Sequence, residues 1–85
     1  MKNWREVQEE LMGLVGQELQ EDMIIQCFGD FEEADKKDVI LSKAEGITTN
    51  LDGYGTCQLW QAYVDAANST NFDLWIKDGV IVDVD

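Results

Sequence analysis

"GTCQLWQAYVDAANST", residues 55–70, decides the fold, because it can be wound or extended and the two readings build different sheets. Wound into a helix, it places Cys57, Trp60, Tyr63, Val64 and Ala67 on one face and Gln58, Gln61, Asp65 and Asn68 on the other. Extended, its alternation breaks at Gln61 and Asp65. The pattern therefore favours a helix, with Gly53 and Gly55 supplying turn dihedrals ahead of it and Thr56 as its N-cap.

The flanking segments read more simply. After it, "FDLWIKDGVIVDV" (72–84) is two apolar runs around Asp78-Gly79, the pair suited to a type I′ turn because both central residues need positive φ. A two-residue turn sets Ile76 opposite Ile81 and Trp75 opposite Val82. One face then carries Phe72, Leu74, Ile76 and Ile81, and the other Trp75, Val80, Val82 and Val84. Before it, "MIIQCF" (23–28) and "DVILSKA" (38–44) are short, rich in β-branched residues and bounded by acids and glycine, which predicts two strands. From Asn3 to about Gln20, apolar residues at Trp4, Val7, Leu11, Leu14, Val15 and Leu19 form a helical stripe, with Trp4, Val7, Leu11 and Leu14 expected in the core. Gly13 and Gly16 signal either close packing or an early end near Gly16. The expected class is α+β, an N-terminal amphipathic helix packed on a small antiparallel sheet, in the order α-β-β-α-β-β. If 55–70 is extended, the alternative is a helix followed by a five-stranded meander. With no proline, repeat or linker, residues 1–85 read as a single acidic domain.

Composition narrows the work such a domain can do. Eighteen acids against six bases give a net charge of −12, while 45% apolar content with three Trp, three Phe and two Tyr is too much for a disordered acidic tail. The charge is spread along the chain: −4 over residues 1–22, −2 over 23–43, −3 over 44–70 and −3 over 71–85. A negative field over the whole surface argues against direct contact with nucleic acid or an anionic membrane and favours a basic protein partner. With no signal-type segment, no 18-residue apolar run and two cysteines, Cys27 and Cys57, the chain reads as a soluble cytoplasmic protein with free buried thiols.

Candidate chemistries fail one by one. "FGDFEEADKKD" (28–38) holds five carboxylates and two lysines, but an EF-hand loop begun at Asp30 has Ala34, Asp35 and Leu41 at its fifth, sixth and twelfth positions. A loop begun at Thr48 places Asn50, Asp52 and Gly53 correctly, then ends on Leu59. Spacing of Glu32 to Lys36 and Glu33 to Lys37 suits instead a solvated helical turn. "DGYGTC" (52–57) lacks the third glycine of a dinucleotide loop and the Gly-Lys-Ser/Thr of a P-loop. There is no histidine, so Ser-His-Asp chemistry is absent, Cys57 has no base beside it in sequence, and two cysteines cannot complete a zinc site. We expect no enzyme activity, no cofactor and no metal site.

What remains is a binding protein. The preferred expectation is a small acidic inhibitor that occludes the basic surface of a nucleic-acid-handling enzyme, with contacts through Glu32, Glu33 and Asp35 and through Asp78, Asp83 and Asp85 around Trp75. Asp83 and Asp85, two apart on a strand, lie about 6.6–6.8 Å from each other on one side. In size, acidity and lack of catalytic groups the chain is similar in character to phage anti-CRISPR and anti-restriction inhibitors and to nuclease immunity proteins. It shares no motif with them that would carry over a residue. The alternative is a structural or assembly module whose acidity serves solubility or salt adaptation, self-associating through the hairpin edge or Trp75.

Overall fold

In the computed structural model, which describes residues 1–64 and 71–85, two short helices precede a four-stranded antiparallel meander: α1 Trp4–Met12, α2 Glu21–Gln26, β1 Val39–Leu51, β2 Gly55–Val64, β3 Asn71–Lys77 and β4 Val80–Val84. A 3-10 turn, Lys36–Asp38, leads into β1. Strand order is β1-β2-β3-β4. The class is α+β as expected, but the order is not α-β-β-α-β-β, and the sheet has four strands where the alternative had five.

The deciding stretch is extended. β2 pairs with β1 from Val39↔Val64 to Leu51↔Gly55 and with β3 from Gln58↔Ile76 to Tyr63↔Asn71, so Thr56, read as an N-cap, faces Asn50 across a ladder. Residues 65–70, including the expected helix positions Asp65, Ala67 and Asn68, lie outside the described residues. Helix and strand were confused because β2 is central and buries different faces along its length. Ala62 and Val64 point to the helices, while Cys57 and Leu59, also buried, point away. That mixture hides a period of two.

The opposite error occurs at 23–28, which is helical through Gln26 and a turn beyond it. Ile24, Cys27, Phe28 and Phe31 are all buried and stand at i, i+3, i+4 and i+7, a helical stripe running from α2 into the turn that follows. Two adjacent isoleucines made it resemble a strand. Glu21 and Asp22 in the first turn favour the helix N-terminus electrostatically. Asp30, at φ 59°, then reverses the chain so that Phe31 bridges to Lys2, with Lys2 N–H donating to Asp30 O (2.7 Å) and Glu32 N–H to Lys2 O (2.9 Å).

α1 begins with a reciprocal cap: Asn3 Oδ1 accepts from Glu6 N–H (3.0 Å) and Glu6 Oε1 from Asn3 N–H (3.2 Å). It ends at Met12, short of the expected Gly16. At Gly16, φ 95° admits a glycine and turns the chain alongside β4. Three backbone bonds hold it there: Gly16 N–H to Ile81 O (2.7 Å), Ile81 N–H to Gln17 O (2.9 Å) and Leu19 N–H to Gly79 O (2.8 Å). The first half of β4's outer edge is thereby covered. Val7 and Leu11 are fully buried and Leu14 partly so, but Trp4 is 44% exposed, with the Arg5 guanidinium 5.4 Å from its ring centre. Trp4 stands one turn ahead of the buried Val7–Leu11 stripe, at the first residue of the helix.

The hairpin forms as expected, with Asp78 at φ 52° and Gly79 at φ 79° between Lys77 and Val80. Its far end does not follow the expected register. Ile76 faces Ile81, but a bulge at Val82 sets Trp75 opposite Asp83 and Leu74 opposite Val84. One extra residue switches the face of everything after it, so Val84 joins Phe72, Leu74, Ile76 and Ile81 in the core. That core packs one face of the sheet against α1, α2 and the turn after α2, with Phe28 edge-on to Phe31 (5.8 Å) and Phe72 (5.7 Å). Leu11→Ala should cost about 2–5 kcal/mol, as for other fully buried leucines. Urea unfolding should show a lower midpoint with an unchanged slope.

Candidate interaction surface

The sheet face turned away from the helices carries the candidate site. Register assigns to it Ile40 on β1, Leu59, Gln61 and Tyr63 on β2, Asp73, Trp75 and Lys77 on β3, and Asp83 with the paired Asp85 on the last strand. Asp73 and Asp85 exchange both backbone bonds (3.0 and 2.8 Å), so two carboxylates stand directly opposite each other, with Cα atoms about 5.5 Å apart. Asp83 lies opposite Trp75. Trp75 is half-buried, and its indole N–H donates to Asp85 Oδ2 at 3.4 Å, a long bond that leaves the carboxylate with accepting capacity. Asp73 Oδ1 accepts from Gln61 Nε2 and Asn71 Nδ2, each at 3.2 Å. Lys77, a base on this face, sits at the turn end and reaches toward Gly55.

Of the residues singled out in the sequence, Trp75, Asp83 and Asp85 come together on this face. Glu32, Glu33 and Asp35 are exposed around a hollow also lined by Asp38, Phe31 and Val64. The register puts that hollow and the aspartates at one end of the sheet, where β1 and β3 begin and β2 and β4 finish. Three inter-strand steps separate β1 from β4, roughly 14 Å. Lys36 and Lys37 moderate the β1 side, and Lys36 Nζ donates to Gln26 Oε1 (3.3 Å). The chain from Phe31 to Asp35 is not helical, and the turn read there is limited to the 3-10 turn Lys36–Asp38. Asp78 stands apart: it is exposed in the turn at the opposite end, beside a hollow lined by Glu18, Lys43 and Trp60. Asp73 was missed, although its alternation with Phe72 and Leu74 places it on the side of Trp75.

Elsewhere, Trp4 and Met12 on α1 and Val15 in the turn beyond it are each more than 40% exposed. A hollow between α1 and α2, lined by Glu10, Leu14, Met23 and Cys27, is mainly apolar. Burial pushes the Cys27 thiol above its ordinary value, Glu10 adds to this and Lys2 opposes it; the thiol donates to Met23 O (3.4 Å). Cys57 is fully buried, and both cysteines are free. Among the described residues, no three His, Cys, Asp or Glu side chains are arranged to hold a metal ion, and no helix is long and apolar enough to cross a membrane.

Like charges directly opposite each other on a sheet are destabilising, so Asp85→Asn, which can still accept from the indole, should stabilise the fold by about 0.2–1 kcal/mol at low salt. The gain should shrink in molar salt, as read by urea midpoints. The raised pKa of Cys27 leaves it less thiolate at a given pH and full burial shields Cys57 from reagent, so both thiols should react with a disulfide reagent at pH 8 on the order of tenfold or more slowly than free cysteine. Two equivalents should be released at the ordinary rate once urea unfolds the chain. In comparisons with known proteins, no family model matches this chain, and neither a curated protein nor a solved structure matches it significantly.

Proposed function

We propose that this protein is a small acidic inhibitor that occludes the basic surface of a nucleic-acid-handling enzyme, acting by stoichiometric binding rather than by turnover, in the manner of phage anti-CRISPR and anti-restriction inhibitors or nuclease immunity proteins. The observation that carries the reading is the sheet face that no helix covers among the described residues, where Trp75 is flanked by Asp73, Asp83 and Asp85, with Glu32, Glu33 and Asp35 at the same end of the sheet. A half-buried aromatic with a carboxylate surround is the composition of an interface anchor with a charged rim. With Cα atoms about 5.5 Å apart across strands for Asp73 and Asp85 and about 6.6–6.8 Å apart along one strand for Asp83 and Asp85, these side chains concentrate negative charge at one end of the sheet. Such a surface competes for the lysines and arginines that would grip phosphate. Asp78, at the other end, belongs to this surface only if the partner spans the length of the sheet.

The assembly reading draws on a different observation, the exposed apolar side chains of Trp4 and Met12 on α1 and of Val15 just beyond it. Sedimentation at low and high salt distinguishes the two: assembly through an apolar strip strengthens with salt, and an acidic monomer stays monomeric.

For the inhibitor, charge reversal at Asp83 and Asp85 should slow association with the enzyme by about tenfold at low ionic strength, with the difference narrowing at high salt. Trp75→Ala should mainly speed dissociation. Fluorescence anisotropy of labelled DNA on the candidate enzyme should fall as this protein is added. An enzyme that holds its nucleic acid with unchanged affinity while saturated with the protein would show that occlusion is wrong.

A further inference from the structure

We infer that the outer margin of β1 is a self-association site, where residues 39–43 pair antiparallel with the same residues of a second copy of this chain. The inference goes beyond the occlusion reading and does not depend on it, because β1 and the strand that carries Asp83 are at opposite margins of the sheet.

Backbone bonding capacity is left over at this margin. Among the described residues β1 pairs with β2 alone, and residues 40–43 make no backbone bond to any other element; Val39 N–H closes the 3-10 turn on Lys36 O. Alternate residues of such a strand turn their N–H and C=O groups outward, a template for another strand. The run ends at Lys43. Beyond it, residues 44–47 bulge between Lys43↔Trp60 and Thr48↔Gln58, held by Gln58 Nε2 donating to Ala44 O (2.6 Å) and Ile47 O (3.2 Å). The core also stops short here: Leu41 on β1, Ile25 on α2 and Ala34 ahead of the 3-10 turn pack against it while only partly buried, and Ile40, on the opposite face, is 37% exposed. One more strand beside β1 would cover Leu41 and Ile40 together.

Charge identifies the occupant. Residues 36–51 hold three bases and two acids, a net +1, whereas the rest of the chain holds three bases and sixteen acids, a net −13. Approach through this margin keeps two acidic bodies apart. The run is also complementary to itself. A five-residue run that pairs with its own copy about a two-fold axis is centred on its third residue, so Leu41 meets Leu41 of the second copy, Ile40 meets Ser42 and Val39 meets Lys43. That register sets Lys43 of each copy next to Asp38 of the other, and Glu45 near Lys37. Within one copy, Lys43 and Glu45 make an exposed contact at 3.8 Å, which costs little to exchange. A run this short gives a weak pair, with a dissociation constant on the order of 0.1 mM, and the dilute protein is a monomer.

The test uses the full-length protein. In NMR spectra of the isotope-labelled chain, diluted from about 1 mM to about 10 µM at physiological salt, concentration-dependent shifts should centre on the amides of residues 39–43. Leu41→Cys should form an intermolecular disulfide in a glutathione redox buffer, because a residue on the axis meets itself with Cα atoms about 4.5–5.5 Å apart, within disulfide reach. Thr49→Cys, exposed on the same strand beyond the bulge, should stay uncoupled. Lys43→Glu should weaken the pair about threefold or more, and Asp38→Lys/Lys43→Glu should restore it. Lys77→Glu, which changes net charge equally at another place, should weaken it less. Spectra unchanged on dilution, shifts centred on Trp4, Met12 and Val15, equal coupling of the two cysteine variants, or a charge swap that fails to restore pairing overturns the inference.

Discussion

Phe28 joins the two layers of this protein. It lies just past α2, fully buried, with its ring edge-on to Phe31 in the chain that returns toward β1 and to Phe72 on β3. Everything else is arranged around that contact. The turn at Asp30 aims Phe31 back at it and pairs the chain with Lys2, which ties the start of α1 to the same corner. Val7 and Leu11 of α1 fill the space beyond. Among the described residues, α1 and α2 both lie over one face of the sheet. The other face holds buried Cys57 and Leu59 beside half-buried Trp75 and exposed Asp83 and Asp85, and it carries the candidate surface.

What could be read from the sequence follows how local each signal is. The hairpin was legible because Asp78-Gly79 specifies its turn within two residues, and α1 because its apolar stripe repeats over more than two turns. α2 was not legible: in six residues two adjacent isoleucines outweigh the periodicity, which appears only when Phe28 and Phe31 beyond the helix are included. β2 was misread for the complementary reason. Whether Cys57 or Ala62 is buried depends on which strands and helices lie over each face, information that no window of the strand contains.

The site shows the same division. Asp83 and Asp85 share a face by the strand period alone, and that much was readable. Their meeting with Asp73 and Trp75 depends on the bulge at Val82, which shifts the register by one and turns Val84 inward while turning the aspartates out. No local signal marks that bulge. It also explains why an alternating run, Val82-Asp83-Val84-Asp85, can supply a core residue and two surface carboxylates from the last four positions.

The segment at residues 16–19 has a further effect, on the valency of the sheet. By bonding to Gly79 and Ile81 it closes the first half of β4's edge, and the bulge with Asp83 and Asp85 makes the rest a poor template for another strand. β1, at the other margin, is not closed in this way among the described residues. A sheet that can be extended from one margin only can be joined once, edge to edge, and no more. Pairing of that kind ends at a closed dimer and cannot propagate into a fibre.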